Sequence, residues 1–251
     1  MRFIGDIGGG NLKYLAESIL MAEISRRIIR LSDYVATSIS YYAKFIDDLA
    51  HRQAPLIPIA SNIPTTLENC DISSLRKSIA PKGEFIVSFI GRRDITVVCK
   101  ALSRLIADGQ NIKALFIGKT NEPNDIADAN ICRTGVLSIE ELSQYVAAAD
   151  CMVMPEHKDS GCSFKSGSLA AALSFGIPVI TSKGYLTEDK LLNRKNILFI
   201  DPQSVDDYYN IIKRLIEDNQ LRKTVSQGAH ELGKQLTWAR TYEEYMRIIR
   251  Q

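Results

Sequence analysis

The sequence predicts an α/β protein in which a parallel sheet carries helices on both faces, preceded by a smaller α/β segment. Three observations lead there. From residue 84 onward, short apolar runs alternate with stretches of helical periodicity. The first of these runs, EFIVSFIG at 84–91, is short, apolar and bounded by Gly on both sides, as a buried strand is. The composition, 45% apolar and 24% charged over 251 residues, is that of an ordinary globular chain. A core of this size needs no disulfide or metal staple.

The elements follow in order. A helix is expected over 11–31, then a strand DYVATS at 33–38, a helix over about 39–53 and a short apolar strand LIPIA at 56–60. Asn62-Ile63-Pro64 breaks this pattern. The polar, turn-rich stretch that follows ends in Pro81-Lys82-Gly83 and reads as a linker. The organisation is therefore a first segment over 1–65, a linker over 66–83, a main domain over 84–235 and a terminal helix over 236–251.

In the main domain, EFIVSFIG (84–91) is a buried strand and 94–108 a helix ending near Gly109. KALFIG (113–118) and the weaker ANICRTG (129–135) are further strands. Ser138 followed by Glu141 is a capping-box pattern opening a helix that runs to Ala149. CMVMP (151–155) is a fourth strand, and a polar loop leads into helix 168–175. IPVITS (177–182) and NILFI (196–200) complete the strands, and helices are expected over 204–217, 219–235 and 238–250. In such a sheet ligands sit outside the carboxyl ends of the strands, near the switch point.

Charge and cysteine usage exclude several classes. With 31 basic and 29 acidic residues, bulk charge does not favour a nucleic-acid partner. Five cysteines, Cys70, Cys99, Cys132, Cys151 and Cys162, form no CxxC pair and read as reduced packing residues of a cytoplasmic protein. No metal site is expected. No apolar run reaches the roughly 18 residues of a membrane span. The stretch 11–31 is amphipathic, with Arg26, Arg27 and Arg30 at one end. That pattern suits a helix packed on its own domain and, alternatively, one with peripheral membrane contact.

The loop after the fourth strand holds the first candidate site. It runs PEHKDSGCSFKSGSL into a helix whose first turn is Gly167-Ser168-Leu169. A helix start offers free backbone N–H groups and the positive end of the dipole. Gly167 permits close approach, Ser168 adds a hydroxyl and Lys165 a charge, which together suit a diphosphate. The same residues also suit a plain helix start capped by Ser166 or Ser168, with Lys165 in solvent. Gly91-Arg92-Arg93-Asp94, at the end of the first strand, is the second candidate. Arginine suits bidentate phosphate binding, while Asp94 can serve as a helix cap in any case. Gly135-Val136-Leu137 with Glu141 could cover a nucleobase or simply pack. His157 lies in the polar loop, where it could meet a sugar or phosphate. Gly5, Gly8, Gly9 and Gly10 lack the flanking strand of a phosphate loop.

Taken in order, FIVSFIGRR, LFIGK, RTGVLSIEELSQYVAAADCMVMP, GSLAAALSFGIPVITS and QLTWARTYEEYMRI resemble the C-terminal, donor-binding half of GT-B glycosyltransferases of the group 1, or family-four, type. SDYVATSISYYAKFI and LIPIASNIP resemble the end of the N-terminal domain in that family. The resemblance implies a Rossmann-like domain and metal-independent transfer of a sugar from a nucleotide diphosphate sugar to a glycan, lipid or other acceptor. It places the diphosphate on Arg92, Arg93, Lys165, Gly167, Ser168 and Leu169. It places the base and ribose near Val136, Leu137, Glu141 and Ala171.

The sequence departs from the family in three ways. The frequent Glu-x7-Glu pair falls on Ser163 and Ala171, so the ribose carboxylate is missing. The loop DSGCSFKSGSL instead resembles a variant subgroup, in which Asp159, Gly161, Ser163, Lys165 and Gly167 are the matching positions and the first three face the donor sugar. Arg92 and Arg93 are adjacent, where the family spaces its two basic residues. Most of an N-terminal domain has no counterpart, so the catalytic residues are not expected here. The expected partners are a nucleotide sugar, an acceptor, and an N-terminal half-protein or a second copy. The competing expectation is a non-catalytic accessory subunit or relic.

Overall fold

The protein is described by a computed structural model covering residues 12–67, 71–121 and 125–250. Cys70 and the N-terminal glycines lie outside the described residues. The chain forms two compact units, Met1–Pro58 with Glu244–Gln251, and Ile59–Glu243.

The larger unit holds the sheet. Its strands are β1 (Phe85–Ile90), β2 (Ile112–Ile117), β3 (Ile131–Arg133), β4 (Cys151–Met154), β5 (Val179–Thr181) and β6 (Leu198–Phe199). Their order is β3-β2-β1-β4-β5-β6, and every pairing is parallel. Phe85 pairs with Ile112 through to Ile90 with Ile117, and Val87 pairs with Cys151. Chain direction across the sheet therefore reverses between β1 and β4, which is the switch point.

Alternate residues of each strand serve opposite faces. Val87, Phe89, Ala114, Phe116, Cys151 and Val153 join one cluster with α4 (Thr96–Ala107) and α7 (Val205–Glu217). Phe89 stacks on Phe116 with centroids 4.9 Å apart. Leu115, Ile117, Met152 and Met154 are buried on the other face, where α5 (Ile139–Ala147) packs on β2 and α6 (Gly167–Ser174) on β5. α8 (Asn219–Gly233) packs on α6. The one polar residue inside β1, Ser88, donates its hydroxyl to the Cys151 carbonyl at 3.0 Å, so its burial leaves no unmet donor.

Cys99, Cys151 and Cys162 are buried, as packing thiols should be, and Cys132 is half-buried. Burial pushes Cys99 and Cys162 up to about 12. Among the described residues no cluster of metal-ligating side chains occurs.

The stretch expected as linker contains a helix, α3 (Ile72–Ile79). Asp71 caps it, accepting from the Ser74 N–H at 3.1 Å. Arg76 donates to both carboxylate oxygens of Asp150, at 3.1 and 2.9 Å, and Asp150 also accepts from the Ile86 N–H at 2.8 Å. A helix this short is marginal by propensity alone. The long-range anchor to Asp150, which local pattern does not reveal, holds it.

The smaller unit contains α1 (Leu12–Leu31), α2 (Ser40–Ala50) and the end of α9 (Trp238–Ile249). The strands expected at 33–38 and 56–60 reduce to one parallel bridge, Thr37 to Leu56. A two-stranded pair with no further neighbour is marginal, which accounts for the loss. Arg52 staples the end of α1, donating to the carbonyls of Ile29 at 2.7 Å and Asp33 at 3.0 Å. Arg26 binds Glu23 and the Leu49 carbonyl, and Arg27 binds Glu23. Two of the three arginines on the amphipathic stretch are thus occupied within the unit. No helix among the described residues is long and apolar enough to cross a membrane.

Candidate functional site at the sheet switch point

β1 and β4 end side by side, and the loops leaving them carry the candidate residues. After β1 the chain turns at Gly91, whose φ of +74° favours glycine. Arg92 follows in solvent. Arg93 folds back instead. It donates to the Ile90 carbonyl and reaches across the switch point to Glu156, with Nε and Nη2 each 3.3 Å from Oε1. Arg93 is thus a strap between the ends of β1 and β4, and its charge is shared with a carboxylate. Sequence reasoning missed Glu156. Its place directly after Pro155, at a strand's carboxyl end, was the available signal. Asp94 accepts from the Thr96 N–H at 3.0 Å, and that bond holds its carboxyl below the usual range.

The loop after β4 is built rather than slack. His157 and Asp159 are exposed and lie together, Nδ1 3.7 Å from Oδ2. The His157 carbonyl accepts from the Gly161 N–H at 2.8 Å. Gly161 has φ +66°, and a Cβ there would stand 2.1 Å from the Gly184 nitrogen. Gly184, in the loop after β5, is equally cramped: its Cβ would stand 2.2 Å from the Asp159 carbonyl oxygen. The two loops zip together, Tyr185 N–H to the Asp159 carbonyl at 2.9 Å and Leu186 N–H to the Ser160 carbonyl at 3.0 Å. Gly184 is a second residue that sequence reasoning passed over, because a lone glycine in a loop shows no partner.

Ser163 is buried and Lys165 exposed, just before α6. The cap of α6 is Ser166, whose hydroxyl oxygen accepts from the Leu169 N–H at 3.3 Å. Leu169 is therefore already engaged, and the N–H groups of Gly167 and Ser168 are the ones left at the helix start. A Cβ at Gly167 would meet nothing within 4 Å, so packing does not demand glycine there. Ala171 is fully buried inside α6 and presents no surface to a ribose.

On the far side of β1, the loops after β2 and β3 are joined by a bridge between Gly118 and Gly135. Val136 is 76% exposed, an unusual state for a valine, and Leu137 is half-buried beside it. Glu141 is committed to the expected capping box: its Oε2 accepts from the Ser138 N–H at 2.8 Å, and Ser138 Oγ accepts from the Glu141 N–H at 3.2 Å.

The carboxyl edge thus presents, in order, Val136 and Leu137, then Arg92 and Arg93, then the polar loop and the start of α6. Glu141 caps its own helix, and Leu169 and Ala171 are inside the core.

A sequence profile of the glycosyl transferases group 1 matches residues 71–232. No curated protein matches the sequence significantly. Among solved structures, the fold is similar to sucrose-phosphate synthase from Thermosynechococcus elongatus, at 19% identity and TM-score 0.70, over 92% of this chain and 61% of that one. It is similar to Anabaena HepE, solved with UDP, at 16% identity and TM-score 0.71, over 96% and 68%. WaaG, a glycosyltransferase of lipopolysaccharide biosynthesis, aligns at 13% identity and TM-score 0.64, over 85% and 62%. The chain spans 61% of the length of the synthase, and these likenesses carry the GT-B architecture. With the profile match covering more than half of its residues, the chain belongs to the glycosyl transferases group 1 family.

Proposed function

We propose that the switch-point crevice binds a nucleotide diphosphate sugar and that the chain serves its transfer to a glycan or lipid-linked acceptor in the cytoplasm. The observation that carries this reading is that Gly91-Arg92-Arg93 and the polar loop leading into α6 leave the carboxyl ends of the neighbouring strands β1 and β4. In the reaction, the bond from the sugar's anomeric carbon to the diphosphate oxygen breaks and a bond to an acceptor oxygen forms. The acceptor proton passes to a base, for which this chain offers no assigned residue. The diphosphate leaves with added negative charge. Fixed cations and N–H groups aimed at that charge favour the transition state over the ground state. Arg92, Arg93, Lys165 and the Gly167 and Ser168 N–H groups are suited to that task without a metal. Val136 and Leu137 are suited to cover the base. HepE has been solved with UDP, with UDP and glucose, and with UDP-glucose, which makes UDP the first nucleotide to test.

The second reading is a non-catalytic accessory subunit. Buried Ala171 favours it, at the position where many relatives place the ribose carboxylate. Calorimetric titration of UDP, GDP and ADP tests the first reading, with Arg92→Ala and Gly167→Asp as controls. Saturable binding of one nucleotide, lost in both variants, is the expected outcome. Absence of binding at millimolar nucleotide would leave the accessory reading standing.

A further inference from the structure

We propose that an open pocket beneath Trp238 is a second binding site, for a neutral saccharide. The pocket has a volume of about 350 Å³, within the range of small-ligand sites. It lies at the Ser174 end of α6, while the donor crevice lies at the Gly167 end. The helix rises about 12 Å over those eight residues, so the two sites do not overlap.

Three features select the ligand. First, Trp238 is 55% exposed, yet its indole is fixed: Nε1–H donates to the Asn62 side-chain oxygen at 3.1 Å. An aromatic plane held in place beside a cavity is prepared to stack on a flat apolar face at little entropic cost. The two faces of a pyranose ring supply such a surface. Second, beside the apolar Ile63, Pro64 and Leu236 the lining carries the hydroxyls of Thr65, Thr66 and Ser174, a mixture that suits a ligand with both apolar ring faces and hydroxyl groups. Third, the site carries little uncompensated charge. Among the described residues its lining holds no carboxylate. Lys234 is paired with Glu231 at 2.6 Å, and His230 Nδ1 lies 3.1 Å from the Ser174 carbonyl oxygen. A nucleotide or sugar acid would find its negative charge poorly met there. A neutral sugar would not. Recognition of the saccharide stands independently of the donor site. Its use, holding a glycan acceptor or product away from the crevice, rests on the proposed reaction and narrows the acceptor to a glycan.

Trp238 is the only tryptophan in the chain, so its emission reports on this pocket directly. Titration with maltotriose, cellotriose, chitotriose and laminaritriose should shift that emission saturably for at least one of them, with a Kd in the millimolar range. Saturation-transfer NMR with the same trisaccharide should lose its signal in Trp238→Leu and in Thr66→Arg, which fills the pocket from an exposed loop. Calorimetry with UDP on the same samples separates the two sites. UDP binding should persist in Trp238→Leu and Thr66→Arg and vanish in Gly167→Asp. No response to any of the four sugars, or a response unchanged in both pocket variants, would overturn the proposal. So would UDP, rather than a sugar, moving the Trp238 emission in a manner blocked by Thr66→Arg. A chain that binds sugar but not UDP would keep this site and lose the donor reading.

Discussion

The two units of this molecule solve the burial problem to different degrees. The larger one buries both faces of a six-stranded sheet, and Val87, Leu102, Leu115, Met152 and Ile180 have no solvent exposure at all. In the smaller one, the buried apolar residues among those described are Ile39, Ile46, Ala50, Ala54 and Ile57. One side of α1 meanwhile shows Leu20, Met21, Ile24, Ile28 and Leu31 to solvent. The lesson is that helical periodicity marks which side of a helix is apolar, but not whether anything covers it. The larger unit draws its stability from non-local strand pairing and close packing. The smaller one relies on polar staples such as Arg52 on the carbonyls of Ile29 and Asp33.

Substitutions sharpen that contrast. Phe116→Ala in the larger unit removes a fully buried ring stacked on Phe89 and should destabilise by about 3–5 kcal/mol. Ile28→Ala on the exposed side of α1 should change stability by no more than about 0.5 kcal/mol. Urea denaturation followed by far-UV circular dichroism measures both. A comparable loss from Ile28→Ala would show that α1 is covered in solution.

A second contrast lies within the candidate site, between two glycines of one loop. Gly161→Ala forces a Cβ into the Gly184 backbone at a positive φ and should cost about 2–4 kcal/mol. Gly167→Ala meets open space, so stability should move by less than about 1 kcal/mol. UDP affinity should nevertheless fall in Gly167→Ala, since the added methyl stands where the diphosphate would approach. Thermal melts with and without UDP separate the two effects. Equal melting temperatures and equal UDP affinity for Gly167→Ala and the parent chain would remove Gly167 from the site.

The smallest expected effect concerns the strap across the switch point. Glu156→Gln removes a negative charge beside Arg93 while keeping a hydrogen-bond acceptor. UDP should bind about fivefold more tightly, the worth of one partly exposed ion pair. Weaker binding would mean that Glu156 is needed to hold Arg93 in position.

Much of this was legible before any coordinates. The apolar runs at 84–91, 113–118 and 151–155 became β1, β2 and β4, because strands buried on both faces have few polar residues to conceal them. Ser138 and Glu141 formed the capping box their spacing announced. Helix α3 was not legible, because its anchor Asp150 lies 74 residues from Arg76. The strands at 33–38 and 56–60 read as strands on composition alone, yet pairing needs a neighbour that composition does not supply.

At the site the same division holds. By itself the sequence determined the chemistry available at the carboxyl edge: two arginines after one strand, and a glycine-bearing polar loop running into a helix after another. It also determined that alternating strands and helices would bring such loops to one edge, since parallel connections leave no other arrangement. Only the tertiary structure decided how those groups are committed. Arg93 is tied to Glu156, Glu141 to its own helix start and Leu169 to Ser166, while Ala171 is sealed in the core. The physical reason is that residue type fixes what a side chain can bind. Which partner it finds depends on distances between segments far apart in the chain, and those exist only once the sheet has formed.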